Sequence, residues 1–278
     1  MKARLEALLA REGSTRAVAL VRIGIATLLL AEWAAEARLL EDARPVAALV
    51  HVAFYATTIA MLLGLWSRAA ALATAILGGI LIGNPLGLLT AGLGHHHTYL
   101  LVYVAALLAL TPCGLSYSWD RLRAVRRAES AGLPPPPERG PLWGVALVGA
   151  QLSAVYFWGA IHKVVTPSMR NGERMEQILM SLYFGSDRPA IPGFQMLCAA
   201  VLLGTALLEL ALAIGLWFPR VRRPLIVAGL LLHAGIYFTM PVATFSATSV
   251  LLYLVFLDPE RVHSVLDRAA GGGATTRP

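Results

Sequence analysis

Long apolar stretches, separated by short polar or turn-forming segments, make up most of the chain. A helix rises 1.5 Å per residue, so about 20 apolar residues cross the hydrocarbon core of a bilayer. The apolar stretches cover residues 17–35, 46–66, 69–89, the residues from Tyr99 to about 114, 142–163, 194–217, 224–240 and 244–257. The pattern therefore predicts an all-α fold, a polytopic helical transmembrane bundle of about eight spans.

Two polar segments at the start and the middle of the chain lie outside these spans. Residues 1–15 are basic and place Leu5, Leu8 and Leu9 on one face, which predicts an amphipathic lead lying on the membrane. Residues 116–141 are rich in arginine and contain four consecutive prolines, Pro134 to Pro137, which indicates a cytoplasmic loop with a stiff extended run.

Two further polar segments follow the fifth and the last span. In 168–190, apolar residues recur at the helical positions i, i+3, i+4, i+7 and i+8: Met175, Ile178, Leu179, Leu182 and Tyr183. This spacing predicts an interfacial helix at the outer membrane surface. Residues 266–278 are polar and glycine-rich, and we expect a disordered tail there. A single transmembrane domain would then occupy residues 1–265.

Composition supports a lipid environment. Of the 278 residues, 57% are hydrophobic and 14% are charged, whereas a soluble domain carries about 25% charged residues. The first apolar run has no small-residue cleavage site after it and reads as a span, not as a signal peptide. The net charge of +7 indicates an orientation in the bilayer and no nucleic-acid partner. We expect a multi-pass protein of the cell inner (plasma) membrane.

Lysine and arginine are distributed unevenly between the two predicted sides. With the N-terminus in the cytoplasm, the inside segments hold 16 of these residues and the outside segments hold six, while Arg22 lies within the first span. This asymmetry predicts cytoplasmic N- and C-termini. It also places Cys113 near the inner face and Cys198 near the outer face, so we predict no disulfide between them.

The fifth apolar stretch ends in His162 and Lys163. A lysine at membrane depth is costly, so it needs a partner, water or a task. Two interpretations follow. The side chain of Lys163 extends to the interface as an anchor, or it serves a function inside the bundle.

Other polar residues of the predicted spans collect in the outer half of the bundle. They are Glu32, Glu36, His95, His96, His97, His233, Tyr237, Thr244, Ser246 and Thr248. In lipid, such groups face one another or a wet cavity. Three consecutive histidines cannot all face one ion, so no metal site is predicted. Deep in the sixth span, Glu209 is interpreted as a structural ion pair with Arg22, and a proton path is the alternative.

Several motifs recur in an order that resembles a known family. They are Arg22-Ile-Gly24 with Glu32 ten residues on, Tyr55 to Leu65 with Arg68, His96-His97-Thr98-Tyr99-Leu100, Ser118-Trp119-Asp120, the set Gln151, Tyr156, Phe157 and Lys163, and His233 with Phe245 to Ser249. Together they resemble the integral-membrane part of vitamin K-dependent gamma-glutamyl carboxylases. Bacterial proteins with the horizontally transferred transmembrane (HTTM) domain are similar.

The resemblance implies an outward-facing site that uses a reduced quinone of the vitamin K type. Lys163 would be the catalytic base toward the quinol. Oxygen would then convert the quinol to an alkoxide that deprotonates a glutamate, which takes up CO2. An apolar bundle favours the neutral amine that a base requires. His97 would act with Lys163 as a catalytic residue, and His96, Tyr99, Tyr156, His233 and Tyr237 would bind substrate.

The chain departs from the carboxylases in several respects, among them Gly172, which is one position late, and His96, which replaces an asparagine. The carboxylases carry a large lumenal domain after the membrane part, whereas about 20 residues follow the last predicted span here. Ser168 or Met169 also stands where the family has tryptophan. Two functions therefore stay open: a quinol-dependent enzyme, and a non-enzymatic membrane partner in the maturation or export of a secreted peptide or protein.

Overall fold

The computed structural model describes residues 10–34, 45–83, 96–185, 191–240 and 242–271, without the side chains of His96 and His97. The chain divides into two compact units. The first unit comprises Met1–Gly149 and Leu251–Pro278, and the second unit comprises Ala150–Val250. The sequence predicted a single transmembrane domain over 1–265 and did not predict a division into two compact units.

Among the described residues, the fold is all-α apart from two short strands. The elements in chain order are β1 Glu12–Ser14, α1 Arg16–Ala34, α2 Pro45–Leu63, α3 Ser67–Gly83, α4 His96–Leu108, α5 Trp119–Ser130, β2 Arg139–Pro141, α6 Trp143–Val165, α7 Pro167–Arg170, α8 Glu173–Phe184, α9 Phe194–Gly215, α10 Pro219–Thr239, α11 Ala243–Leu252, a 3₁₀ turn Tyr253–Phe256 and α12 Pro259–Ala269.

Apolar helices coincide with all the predicted spans. Five of them have the length and composition to cross a membrane, namely α1, α2, α6, α9 and α10. The shorter apolar helices lie at Ser67–Gly83, Thr98–Leu108 and Ala243–Phe256. The structure thus gives an all-α protein with five candidate membrane-spanning helices among its described residues. The count of eight spans and the orientation of the termini stay predictions.

The first unit is built around α1. Its buried positions Val18, Arg22, Ile25, Leu29 and Trp33 recur at helical spacing and form one continuous face. Helices α2 and α4, the 3₁₀ turn and α12 pack against α1, and α3 packs between α2 and α4. A helix with an apolar stripe of this kind buries it against its neighbours.

The polar segments contain more regular structure than the sequence predicted. Residues 12–14 of the expected lead form β1, which pairs antiparallel with β2, whereas residues 1–9 lie outside the described part. The expected loop 116–141 contains α5 and β2. Ser118 starts α5 because its hydroxyl accepts from the backbone N–H of Arg121 at 2.8 Å. The expected tail begins as helix, since α12 extends to Ala269; residues 272–278 are outside the description.

In the second unit, α9 packs against α7, α8 and α10. Helix α8 occupies the predicted interfacial segment, and its ends are set by Gly172 and Gly185, both with positive φ. Residues 186–190 of that segment are not described. Cys113 and Cys198 are both free and buried.

Candidate functional site

The second unit contains two buried polar pairs that both involve α6. Leu152, Tyr156 and Ala160 form the buried face of this helix within the unit. Lys163 follows on the same face, seven residues after Tyr156, which corresponds to about 10 Å along the helix axis. The neighbouring aromatic residues Phe157 and Trp158 are exposed on the other side, where an apolar surface meets lipid in a membrane helix.

The first pair joins Lys163 to Glu209 of α9. The Lys163 Nζ atom lies 2.9 Å from Oε1 and 2.7 Å from Oε2 of Glu209. The side chains keep 19% and 8% of their accessible surface, respectively. The Lys163 Nζ atom also lies 3.4 Å from the carbonyl oxygen of Gly159, one turn earlier in α6. The lysine side chain therefore runs back along its own helix into the unit.

Gly159 allows the two helices to approach each other at this point. A Cβ atom at this position would lie 3.2 Å from Glu209 Oε2, a tight contact. The absence of a side chain thus leaves room for the carboxylate beside α6. A larger residue at position 159 would therefore crowd the Glu209 carboxylate that pairs with Lys163.

The second pair joins Tyr156 to His233 of α10. The Tyr156 Oη atom and the His233 Nε2 atom are 2.7 Å apart, and both side chains are buried. The imidazole ring also contacts the rings of Tyr156 and Phe245, at centroid distances of 5.9 and 5.7 Å. The three rings therefore form an aromatic cluster that contains one hydrogen-bonded pair, Tyr156 and His233.

Other polar residues named from the sequence have contacts of their own. The His162 side chain is exposed, and its Nδ1 atom lies 3.1 Å from the Oγ1 atom of Thr166. Tyr237 is 56% exposed and its ring contacts Phe238. Tyr99 belongs to the first unit, where its ring stacks on that of Tyr103. The side chains of His96 and His97 lie outside the described residues, so their predicted roles are not assessed.

Glu209 has a partner in its own unit that the sequence did not predict. The structure pairs Glu209 with Lys163, while Arg22 donates to backbone carbonyls of the first unit. The guanidinium of Arg22 lies 2.8 Å from the carbonyl oxygen of Met61 and 2.6 Å from that of Tyr117. Met61 is in the last turn of α2, where carbonyls have no partner within the helix. Arg22 therefore caps a helix end.

The partnership of Lys163 and Glu209 was missed for a geometric reason. A depth estimate along straight helices places Lys163 near the outer end of its span and Glu209 about two-thirds of the way down its own. The estimate ignores helix tilt and the reach of a lysine side chain that folds back to Gly159. The proximity of a small residue, Gly159, to Lys163 was the available signal.

Among the described residues, no group of three or more histidine, cysteine and acidic side chains could hold a metal ion. The two polar pairs instead offer an exchangeable proton and a hydrogen-bonding aromatic surface. An ammonium and a carboxylate in direct contact form a charge-assisted hydrogen bond, and its N–H proton is exchangeable.

The apolar helices define the class of the molecule, which is an integral membrane protein with a mostly helical fold. The HTTM domain model matches residues 39–260, most of the chain, and the protein belongs to the HTTM domain family. No curated protein and no solved structure gave a significant match.

Proposed function

We propose that this HTTM-domain protein is a membrane enzyme that acts on a reduced quinone, with Lys163 as the base that accepts the quinol proton. The observation that carries the proposal is the double contact of Lys163 Nζ with Glu209. It supports the functional interpretation of Lys163 over the anchor interpretation. An anchoring lysine extends its ammonium group to the headgroups, whereas this one is held inside its unit.

Glu209 gives the lysine a place to leave its proton. Transfer of the ammonium proton to the carboxylate yields a neutral amine beside a neutral acid, with no change in net charge. The amine nitrogen can then accept the proton of a hydroxyl group, so that the O–H bond breaks and an N–H bond forms. Buried acid–base pairs of this kind lend themselves to proton transfer at neutral pH.

The second polar pair, on the same face of α6 and about 10 Å from Lys163 along the helix axis, suits a hydroxylated aromatic ring. Tyr156, His233 and Phe245 supply aromatic faces, and the Tyr156–His233 hydrogen bond orients the imidazole. A reduced quinone would supply the acidic hydroxyl and the two electrons for reaction with oxygen. The resemblance to the carboxylases favours this substrate class and, as its next step, carboxylation of a glutamate side chain. An outward-facing opening of the site belongs to the same proposal.

The test uses the full chain reconstituted in lipid nanodiscs with reduced vitamin K, oxygen and bicarbonate. Quinol consumption and quinol binding are measured separately for the wild type, Lys163→Ala and Glu209→Gln. We expect Lys163→Ala to lower turnover about 100-fold or more, since a positioned base contributes roughly 10²–10⁴-fold. Arg170→Ala is the matched control, because Arg170 is an exposed cation in the next element, and it should stay within about twofold of the wild type.

Unchanged turnover in Lys163→Ala would overturn the role of this residue. A wild-type protein that neither binds nor oxidises quinol, but co-purifies with a stoichiometric secreted peptide or protein, would replace the enzyme proposal with the membrane-partner function.

A further inference from the structure

A rigid corner in the first unit carries an exposed tryptophan in a strained conformation. Trp66, in the turn between α2 and α3, has a φ of 45°. Bulky residues rarely adopt this left-handed region, and such strain persists only where surrounding contacts enforce it. The Asp120 carboxylate supplies these contacts. It accepts from the N–H groups of Trp66 and Ser67 at 2.9 and 2.7 Å and from the Ser67 hydroxyl at 2.7 Å.

The strained tryptophan forms one side of a cage around an arginine. The Arg123 guanidinium carbon lies 5.9 Å from the centroid of the Trp66 ring and 6.0 Å from that of the Trp119 ring. These distances are within the range of cation–π contacts. Both rings are open to the surroundings, at 70% and 45% exposure. The two indole rings thus contact the guanidinium at the surface of the unit.

Arg123 has no carboxylate partner within the described part of the chain. Its planar fork of N–H donors is therefore available to an anion, and such forks bind phosphate with two parallel hydrogen bonds. By contrast, the neighbouring Arg121 is occupied, since it contacts Glu138 and the carbonyl of Pro136.

Two further cations extend the same surface. Arg126 and Arg127 lie three and four residues after Arg123, so they share its face of α5, and all three residues are exposed. We call Trp66, Trp119, Arg123, Arg126 and Arg127 the arginine corner. Asp120, the acidic residue of the first turn of α5, is already engaged by Trp66 and Ser67.

The arginine corner lies at the end of a candidate membrane span. Trp66 follows α2 by three residues, and the exposed apolar residues Leu63, Leu110 and Leu115 come from the same span end and from the segment before α5. Tryptophan and arginine at such a position are typical of the headgroup level of a bilayer. The anion that reaches this level is the phosphate of a phospholipid.

We propose that the arginine corner is a binding site for the headgroup phosphate of an anionic phospholipid, of the phosphatidylglycerol kind. A zwitterionic headgroup carries its own ammonium group, which competes with the arginines for the phosphate. An anionic headgroup has no such competitor and gains from all three cations. This site is independent of the proposed quinol chemistry, because its residues belong to the first unit and those of the quinol site to the second.

The test is a native mass spectrometry titration of the detergent-solubilised full chain with phosphatidylglycerol and, separately, phosphatidylcholine of the same acyl chains. We compare the wild type with Arg123→Gln and with the double variant R123Q/R126Q. Each basic residue near a membrane surface contributes roughly fivefold in affinity for anionic lipid. We therefore expect the phosphatidylglycerol Kd to rise about 5-fold in the single and about 25-fold in the double variant.

The matched control is the double variant R261Q/R268Q. It removes the same charge from exposed positions of α12 in the same unit, where no cation–π contact is found among the described residues. It should change the phosphatidylglycerol Kd by less than about twofold. Circular dichroism and size exclusion check that every variant folds.

Three outcomes would overturn the proposal. They are equal affinity for the two lipids, an equal loss in the α12 control, and displacement of phosphatidylglycerol by millimolar inorganic phosphate or by an acidic peptide. Displacement by phosphate would indicate a free-phosphate site, and displacement by the peptide would indicate a protein partner. Quenching of Trp66 fluorescence by brominated phosphatidylglycerol, lost in Trp66→Phe, is the expected supporting result.

Discussion

At the residue scale, the ion pair between Lys163 and Glu209 is the feature on which the proposed chemistry depends. Two charges in an apolar surrounding pay a desolvation cost that their attraction offsets only when the geometry is good. Here both carboxylate oxygens contact the same nitrogen, at 2.9 and 2.7 Å. Apolar residues of similar volume could fill this position without that cost, so the pair points to a function beyond stability.

Replacement of both partners tests this reasoning. We expect K163M/E209M to stay within about 1 kcal/mol of the wild type in free energy of unfolding, since apolar replacement of a buried pair is often neutral or stabilising. Glu209→Met alone should cost about 1–3 kcal/mol, because the partly shielded ammonium of Lys163 is left without its partner. Thermal unfolding of the purified proteins in one detergent measures both.

The same double variant should have lost quinol turnover despite its stability. If the single and double variants lose the same stability, the charge pairing does not determine the stability at these positions, and the ion pair does not indicate a function.

The sequence predicted part of this site. Lys163, Tyr156, His233 and Glu209 were all named from polar positions in apolar spans or from family motifs, and the structure joins them in two pairs. The pairing itself was not predictable, because hydropathy gives the approximate depth of a residue but not the rotation of its helix. Tyr237 shows the same limit: it lies four residues after His233, yet its side chain is largely exposed.

At the element scale, the turn between α2 and α3 joins several parts of the first unit. Gly64 has a φ of 71°, a conformation that glycine adopts without strain. Its carbonyl accepts from the N–H of Asp120 at 3.1 Å, and Arg22 contacts the carbonyls of α2 just before it. The turn thereby connects α1, α2 and α5.

Gly64→Ala should destabilise the protein strongly. An added Cβ would meet Arg22 Nη1 and the Ser118 Cβ atom, each at 2.3 Å, and alanine would be strained at this φ. We expect a loss of about 2–4 kcal/mol from strain and overpacking together. Unfolding in increasing denaturant, followed by circular dichroism, measures it.

Gly79→Ala is the matched control. Gly79 lies in α3, and an added Cβ would meet nothing within 4 Å. Helix propensity then makes the change neutral or stabilising by up to about 1 kcal/mol. If both variants lost the same stability, the positive φ and the contacts of Gly64 would not be the cause.

At the scale of the whole molecule, the first unit holds segments from both ends of the chain together. Arg16, which follows β1, contacts Glu138 at 2.6 Å and also pairs with Asp267 of α12. Ser14 contacts His263 of the same helix at 2.9 Å. The last described helix, α12, is thus attached by polar contacts to the strand pair near the start of the chain.

The predicted orientation puts these segments in the cytoplasm. Single cysteines introduced at positions 132 and 170 and labelled from each side of the membrane would check it, and we expect labelling of position 132 from the inside and of position 170 from the outside.

Acid should loosen this attachment. The hydrogen bond from Arg16 lowers the pKa of the Asp267 carboxyl below its usual value of 3.8. A lowered pKa means that the contact stabilises the fold fully above about pH 4 and is lost as the pH falls through the folded-state pKa. Hydrogen exchange of α12, corrected for intrinsic rates, should therefore show protection that decreases as the pH falls below about 4.

In Asp267→Asn, the protection of α12 should already be reduced at pH 6, and the acid step should be absent. Arg268→Gln changes a neighbouring charge whose contact stays within the helix, at Ser264, and should keep the wild-type step. An unchanged step in Asp267→Asn would assign the acid response to another group.

The sequence by itself determined the all-α membrane class, the positions of the apolar helices, the helix within residues 168–190 and the family. These follow from local properties, since hydropathy, helical period and glycine positions act within a few neighbouring residues. Tertiary structure alone decided that Lys163 pairs with Glu209 and that Arg22 caps α2. It also decided that α5 and two strands form within the polar segments, and that the rings of Trp66 and Trp119 contact Arg123. Each of these depends on how helices rotate and approach one another, and side-chain reach and small residues such as Gly159 set that approach only when the chain is packed.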